Sequence, residues 1–164
     1  MLTNNSKLLT LLSALFLLLS FNLSARTINE SIDVQNGGKL FLRTDVGRLI
    51  VDTHNRDTVL LEVDIKGDDA DELEVTHDVN GKSVHIIGKM NNLKKWGWNR
   101  DVRAEFRITL PKNFDLELDT SGGAIDIDDL IGDIEAHTSG GHINVGNITG
   151  DVVLNTSGGS IKTK

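Results

Sequence analysis

The chain has 164 residues, 17 basic and 24 acidic, with a net charge of −7 and no cysteine. Lack of cysteine excludes a disulfide framework, a lipid-modified N-terminal thiol and a thiol nucleophile, so the fold must stand on its packing. The acidic balance argues against a nucleic-acid partner, whose affinity rests on neutralising phosphates.

Residues Leu8 to Phe21 read LLTLLSALFLLLSF. This run is shorter than the roughly 20 apolar residues a bilayer span needs and has the length of a signal-peptide core. Small Ala25 stands where a leader peptidase cuts, so residues 1–25 are expected to be a signal peptide; an uncleaved anchor is the competing reading. Loss of the leader, with Lys7, leaves 16 basic and 24 acidic residues in 26–164, a charge of −8 on one all-β domain. No second stretch reaches spanning length, and a secreted protein of a bacterial cell envelope is expected, in the periplasm or on the surface.

The first β unit is TDVGRLIVDTHNRD, residues 44–57. It matches TSGGAIDIDDLIGD further on in its Thr, its second Gly, two aliphatics and its final Asp, and is therefore a degenerate copy of a later repeat. Residues 73–87, LEVTHDVNGKSVHII, read as a β-hairpin with Asn80-Gly81 at its tip. That phase puts Leu73, Val75, His77, Val79, Val84 and Ile86 on one face. The acidic run Asp68 to Glu72 just before it fits no EF-hand loop and is expected to be a polar turn.

Residues 89–107, KMNNLKKWGWNRDVRAEFR, carry six basic and two acidic side chains and both tryptophans. Trp96 and Trp98 share a face if the backbone is extended. Beside Lys94, Lys95, Arg100 and Arg103 they form a candidate site for an envelope glycan or an anionic lipid, the indoles stacking and the cations meeting phosphate or carboxylate. The alternative favoured by burial statistics folds the indoles over the sheet as a satellite core. A third possibility has this segment meet acidic faces of a neighbouring copy. FRITLPKNFDLELDT then supplies two strands around Pro111, the only proline.

From Asp119 an 18-residue repeat begins: DTSGGAIDIDDLIGDIEA, HTSGGHINVGNITGDVVL and the opening NTSGGSIKTK. Period-two alternation, as in Ile125 and Ile127 against Asp126 and Asp128, means strands. Two strands per unit are expected, joined by the TSGG turn and by a turn near Gly-Asp, with glycine supplying positive φ. Parallel coils place Ile125, Ile143 and Ile161 in one inward row about 4.8 Å apart, with Thr120, Thr138 and Thr156 in a second. The structural turns are thus Thr120, Ser121, Gly122 and Gly123, then Thr138, Ser139, Gly140 and Gly141, then Thr156, Ser157, Gly158 and Gly159. Their hydroxyls are expected to satisfy the same orphan backbone amides coil after coil. The fold class is all-β, a β-solenoid of about 18-residue coils with an inserted β-hairpin, the alternative being an antiparallel β-sandwich. A left-handed hexapeptide helix fails, because the sixth-residue series from Ile125 meets His137, Thr149 and Asn155.

The strand ending in RITLP, the following DLELDTSGGAIDI and the recurring TSGG and GD turns resemble a bacterial exported family labelled "putative adhesin", built of short Gly-rich β-repeats. The resemblance covers residues 32–164. It implies a solenoid-like envelope protein and carries over no catalytic residues. Such proteins continue through more repeats, whereas this sequence stops inside its third.

No GxSxG elbow, HExxH helix or phosphate loop is present. The TSGG serines occupy three equivalent positions and cannot share one base. His137 and His142 flank the middle turn but become Asn155 and Ser160 one repeat later, so no metal, cofactor or enzyme activity is expected. Three functions remain: an adhesin-like structural or interaction scaffold, a glycan- or anionic-lipid-binding module, and an envelope-stress regulatory protein. The last strand, with Lys162 and Lys164 outward, is expected to fray after about Asn155 or to self-associate through its edge. Ile143→Asp should destabilise strongly and Asn144→Asp should be nearly silent. Mass spectrometry of the exported protein should give a chain starting near Arg26; a retained Met1 would remove the leader.

Overall fold

The computed structural model describes residues 25–91 and 101–164. The leader residues 1–24 and the centre of the basic segment, 92–100, lie outside the described residues. In chain order the strands are β1 (Ala25–Asp33), β2 (Gly38–Thr44), β3 (Arg48–His54) and β4 (Thr58–Lys66), then a 3-10 turn (Ala70–Glu72), β5 (Leu73–Asn80) and β6 (Ser83–Met90). They continue with β7 (Arg103–Pro111), β8 (Phe114–Thr120), β9 (Ile125–Ile127), β10 (Leu130–Ile131), β11 (Ile134–Thr138), β12 (Ile143–Val145), β13 (Ile148–Thr149), β14 (Val152–Thr156) and β15 (Ile161–Thr163).

The architecture is all-β with mixed sheets. One sheet runs β1, β4, β7, β3, β9, β12, β15 and the other β14, β11, β8, β2, β6, β5, while β10 and β13 pair separately. The pairs β1 with β4, β4 with β7 and β5 with β6 are antiparallel. The neighbours of β2, β3 and all later strands are otherwise parallel. Apolar side chains from both large sheets meet in one core, with Phe106 and Phe114 its largest fully buried members.

The parallel part keeps a constant register. Ile125 lies opposite Ile143, which lies opposite Ile161, and Thr120 opposite Thr138 and Thr156, steps of 18 residues each. The degenerate unit enters the same ladders: Thr44 lies opposite Thr120, and Leu49 opposite Ile125. Inward rows are buried until the last unit, where Ile161 is 43% and Val152 40% exposed. Each 18-residue unit holds three strands rather than the expected two. The extra one, Leu130–Ile131 and its partner Ile148–Thr149, has only two residues, too few for alternation to reveal it.

The threonine row does more than satisfy the expected turn amides. Each hydroxyl donates to a carbonyl of the preceding unit, Thr120 to Gly47 (2.9 Å), Thr138 to Gly123 (2.7 Å) and Thr156 to Gly141 (2.7 Å). The Thr138 and Thr156 hydroxyls also accept the amides of Gly141 (3.2 Å) and Gly159 (3.1 Å) in their own turns. The same oxygen thus closes its turn and ties one unit to the next.

The glycines of TSGG are not there for positive φ, which is found instead at Gly132 (+151°) and Gly150 (+152°) in the Gly-Asp turns. The second glycine of each TSGG is needed for space: a Cβ on Gly123, Gly141 or Gly159 would overlap the carbonyl of Gly47, Gly123 or Gly141 respectively. The first glycine has room, since a Cβ on Gly122 meets nothing within 4 Å. The degenerate turn TDVG has Val46 at the first position and keeps Gly47 at the second, where φ is +124° and a Cβ would stand 2.9 Å from the Ala104 carbonyl oxygen. After each Gly-Asp turn, Asp115 Oδ1 accepts the Asp133 amide and Asp133 Oδ1 the Asp151 amide, both at 2.9 Å.

The hairpin extends from Leu73 to Met90, and Asn80 pairs with Ser83. Its two-residue loop is therefore Gly81-Lys82, not Asn80-Gly81. Gly81 has φ +64° and no non-glycine residue among those described has positive φ, the pattern of a type II′ turn. On its expected face Leu73, Val84 and Ile86 are buried, but Val79 is 48% exposed and His77 exposed, because β5 is an edge strand.

Asn144 faces outward, yet its Nδ2 donates to Asp126 Oδ1 at 2.7 Å. Asn144→Asp sets a second carboxylate against the first and is not silent. Two comparisons test the packing by denaturant unfolding. Gly141→Ala should cost about 2 kcal/mol or more, because the unit above must shift, while Gly140→Ala, whose Cβ has only ordinary contacts, should stay within about 0.5 kcal/mol. Ile143→Asp, an unpaired charge at a fully buried site, should cost more than ~3 kcal/mol.

Candidate functional site

Of the expected binding residues, Lys94, Lys95, Trp96, Trp98 and Arg100 lie outside the described residues, and only Arg103 is placed. Arg103 opens β7, where its exposed guanidinium contacts Asp101 at 3.2 Å. The two flanks of the segment are pinned to one place. The Asn91 amide donates to the Glu72 carbonyl at 2.8 Å, the Asp69 amide to the Asp101 carbonyl at 3.3 Å, and the Asp101 amide to Asp69 Oδ2 at 3.3 Å. Gly67, with φ +119°, passes so close that a Cβ would overlap the Asp101 carbonyl. Asp68 to Glu72, read from sequence as a polar turn, is thus the seat on which both flanks of the basic segment are held. These contacts join residues 19 and 32 positions apart through backbone groups and the Asp69 carboxylate, which no local pattern detects.

A second polar surface covers the outer face of the seven-stranded sheet. Arg48 Nη2 lies 2.8 Å from Asp126 Oδ2, Arg107 Nη1 lies 3.2 Å from Asp52 Oδ2, and His142 Nε2 is 3.8 Å from Asp126 Oδ1. Burial opposes ionisation of Asp126, but hydrogen bonds from Asn144 and Arg48 and the Arg48 charge prevail and hold its carboxyl below the usual range. Asp129 is lowered too, chiefly by the Asn147 amide and side chain (2.7 and 3.1 Å). On the opposite sheet, Phe41 and His85 stack across β2 and β6 with centroids 4.6 Å apart, and Lys39 Nζ sits 4.3 Å from the Phe41 centroid. Sequence reasoning missed this stack, because the register that joins the two strands is not local.

The turn residues take up no catalytic arrangement. Ser121, Ser139 and Ser157 are exposed, one unit apart, and their amides bond to the carbonyls of Thr44, Thr120 and Thr138. His137 contacts Glu135 at 3.0 Å, away from His142 on the other sheet. Among the described residues no group of three or more His, Asp or Glu is placed to hold a metal ion, and no helix is long and apolar enough to cross a membrane.

Fold and surface together define an all-β protein of two mixed sheets whose repeated units carry a regular array of polar side chains. No protein-family model and no curated protein sequence matches the chain. Among solved structures, a "putative cell adhesion protein" from Clostridium sporogenes aligns over 85% of this chain and 99% of its own at 14% identity and a TM-score of 0.46. A "putative adhesin" from Parabacteroides distasonis aligns over 85% and 65% at 12% identity and 0.42, and a "putative lipid binding protein" from the same organism over 85% and 62% at 14% and 0.36. At these overlaps nothing about those proteins transfers to this chain, and its own residues must carry its function.

A carboxyl whose folded-state pKa is depressed contributes stability that is present above its ordinary pKa and lost as pH falls through the folded value. Stability should therefore drop below about pH 4, and Asp126→Asn should flatten that acid limb while lowering stability at pH 7. Equal slopes for the two proteins in pH-dependent unfolding would show that Asp126 is not held by Arg48 and Asn144.

Proposed function

We propose that the chain is an exported, non-catalytic scaffold of the bacterial cell envelope, adhesin-like in action, whose repeated faces bind other surfaces. In this account residues 1–25 are a leader, 26–164 form one domain, and the parallel units are coils of a β-solenoid. One observation supports it above the others: the 18-residue ladders line up the outward positions in straight rows at the same constant step as the inward ones. Rows such as Asp126, Asn144 and Lys162 spread shallow contacts of differing charge along the face. Val152, Val153 and Ile161, exposed on β14 and β15, are its surface for self-association.

A second reading makes residues 89–107 a glycan- or anionic-lipid-binding module using Lys94, Lys95, Trp96, Trp98, Arg100 and Arg103. It is favoured by the anchoring of both flanks on the Asp68 to Glu72 seat, which presents the segment from a fixed base. One experiment separates the two: binding of the mature chain to envelope fractions, purified glycans and anionic vesicles, with and without Trp96→Ala/Trp98→Ala. Unchanged envelope binding by the variant supports the scaffold, and a loss of about tenfold or more on glycan or vesicle supports the module. Absence of binding to any of these materials by the unmodified chain would remove both.

A further inference from the structure

A shallow groove of about 460 Å³ crosses the outer face of β3, β9, β12 and β15. Two rows of outward residues line it. Ile50, Asp126, Asn144 and Lys162 form one; Asp52 forms the other with Asp128, Gly146 and Lys164, which follow β9, β12 and β15 and whose amides donate to the Val51, Ile127 and Val145 carbonyls. On one side its carboxylates are already engaged, Asp126 by Arg48 and Asn144, Asp52 by Arg107.

Asp128, Lys162 and Lys164 differ. All three are exposed, and among the described residues their side chains make no hydrogen bond or ion pair. They stand on opposite banks, because neighbouring strands are about 4.8 Å apart and the β9 and β15 rows are therefore separated by roughly 10 Å. Between Asp128 and Lys164 the row has no side chain at all, only Gly146. That gap is enforced: a Cβ on Gly146 would stand 2.5 Å from Asp129 Oδ1 and 2.9 Å from the Asp129 amide nitrogen. Asp129 in turn is fixed by accepting from Asn147 at 2.7 Å. The molecule thus holds Asp128 on one bank and Lys162 and Lys164 on the other without a direct hydrogen bond or ion pair among the described residues, with Asp129 packed beside Gly146 and within the electrostatic reach of Lys164.

We propose that this groove binds a small dipolar ligand carrying a primary ammonium and a phosphate, of the phosphoethanolamine class. The ammonium donates to Asp128. The phosphate meets Lys162 of β15 and Lys164, which stands two residues later just past the strand, so that both reach the same group. Two ammoniums suit a phosphate, which offers several charged oxygens, better than a single carboxylate. The short organic link lies over Gly146. The site is distinct from residues 89–107 and shares no side chain with them.

The test is calorimetric titration of the mature chain with phosphoethanolamine, phosphocholine and inorganic phosphate, repeated on Asp128→Asn and on Lys162→Ala/Lys164→Ala. These positions are exposed, so both variants should keep the far-UV spectrum and unfolding midpoint of the parent. Saturable binding of phosphoethanolamine is expected, about tenfold weaker or more in either variant, with phosphocholine weaker because its quaternary nitrogen has no N–H to donate. Trp96→Ala/Trp98→Ala should leave it unchanged, which separates this site from the anionic-lipid reading of the basic segment. Vesicles of phosphatidylethanolamine compared with phosphatidylcholine then identify the source: selective binding assigns a lipid headgroup, and binding of the free compound alone assigns a soluble one. No saturable binding of phosphoethanolamine, or equal affinity in parent and both variants, overturns the proposal.

Discussion

Backbone against backbone, at the second glycine of each TSGG, is the contact on which the rest of the parallel structure depends. There the chain comes closer to the preceding unit than any side chain allows, and the neighbouring threonine hydroxyl donates to the carbonyl it approaches, at 2.7 to 2.9 Å. A buried hydroxyl contributes only about 1 kcal/mol net when paired, but a buried carbonyl left without its donor costs roughly 1–3 kcal/mol. Repetition of that pairing fixes the step at 18 residues and leaves no freedom for a one-residue slip, which would turn every isoleucine outward.

Once the step is fixed, both faces follow. Inward, Leu49, Ile125 and Ile143 stack fully buried, and the row opens only at Ile161. Outward, the same register sets Arg48 against Asp126 and Asn144 against Asp126, so the charge pattern is a product of the turn geometry. The antiparallel strands β1, β4, β5 and β6 extend the two sheets away from the repeats, and Phe106 is buried beside Val63 of β4 and Gly88 of β6.

Much of this was legible in the sequence because it is periodic or local. Alternation identified the strands, the recurrence of TSGG gave the step, and the match of residues 44–57 to the repeat anticipated the pairing of Thr44 with Thr120. What sequence did not reveal depends on contacts between distant residues or on elements too short to have a period. The two-residue strands β10 and β13 are of the second kind. The role of Gly123 and Gly141 is of the first, since close approach and positive φ select the same residue type and only geometry tells them apart. The seat at Asp69 and Glu72 and the groove over Gly146 are likewise made by pairing between strands far apart in sequence. Trp96 and Trp98, the most conspicuous side chains in the sequence, lie outside the described residues, and their part is left to the binding experiments.

The central claim, that the threonine hydroxyl couples each unit to the one before it, is tested most directly by native-state hydrogen exchange on Thr138→Val. That substitution keeps the side-chain shape and removes both the bond to the Gly123 carbonyl and the acceptor of the Gly141 amide. Amides of β12, β14 and β15 should lose protection together, with the Gly141 amide, while those of β2, β3 and β8 keep theirs. Unchanged protection beyond Thr138, or an equal loss in every strand of both sheets, would contradict it.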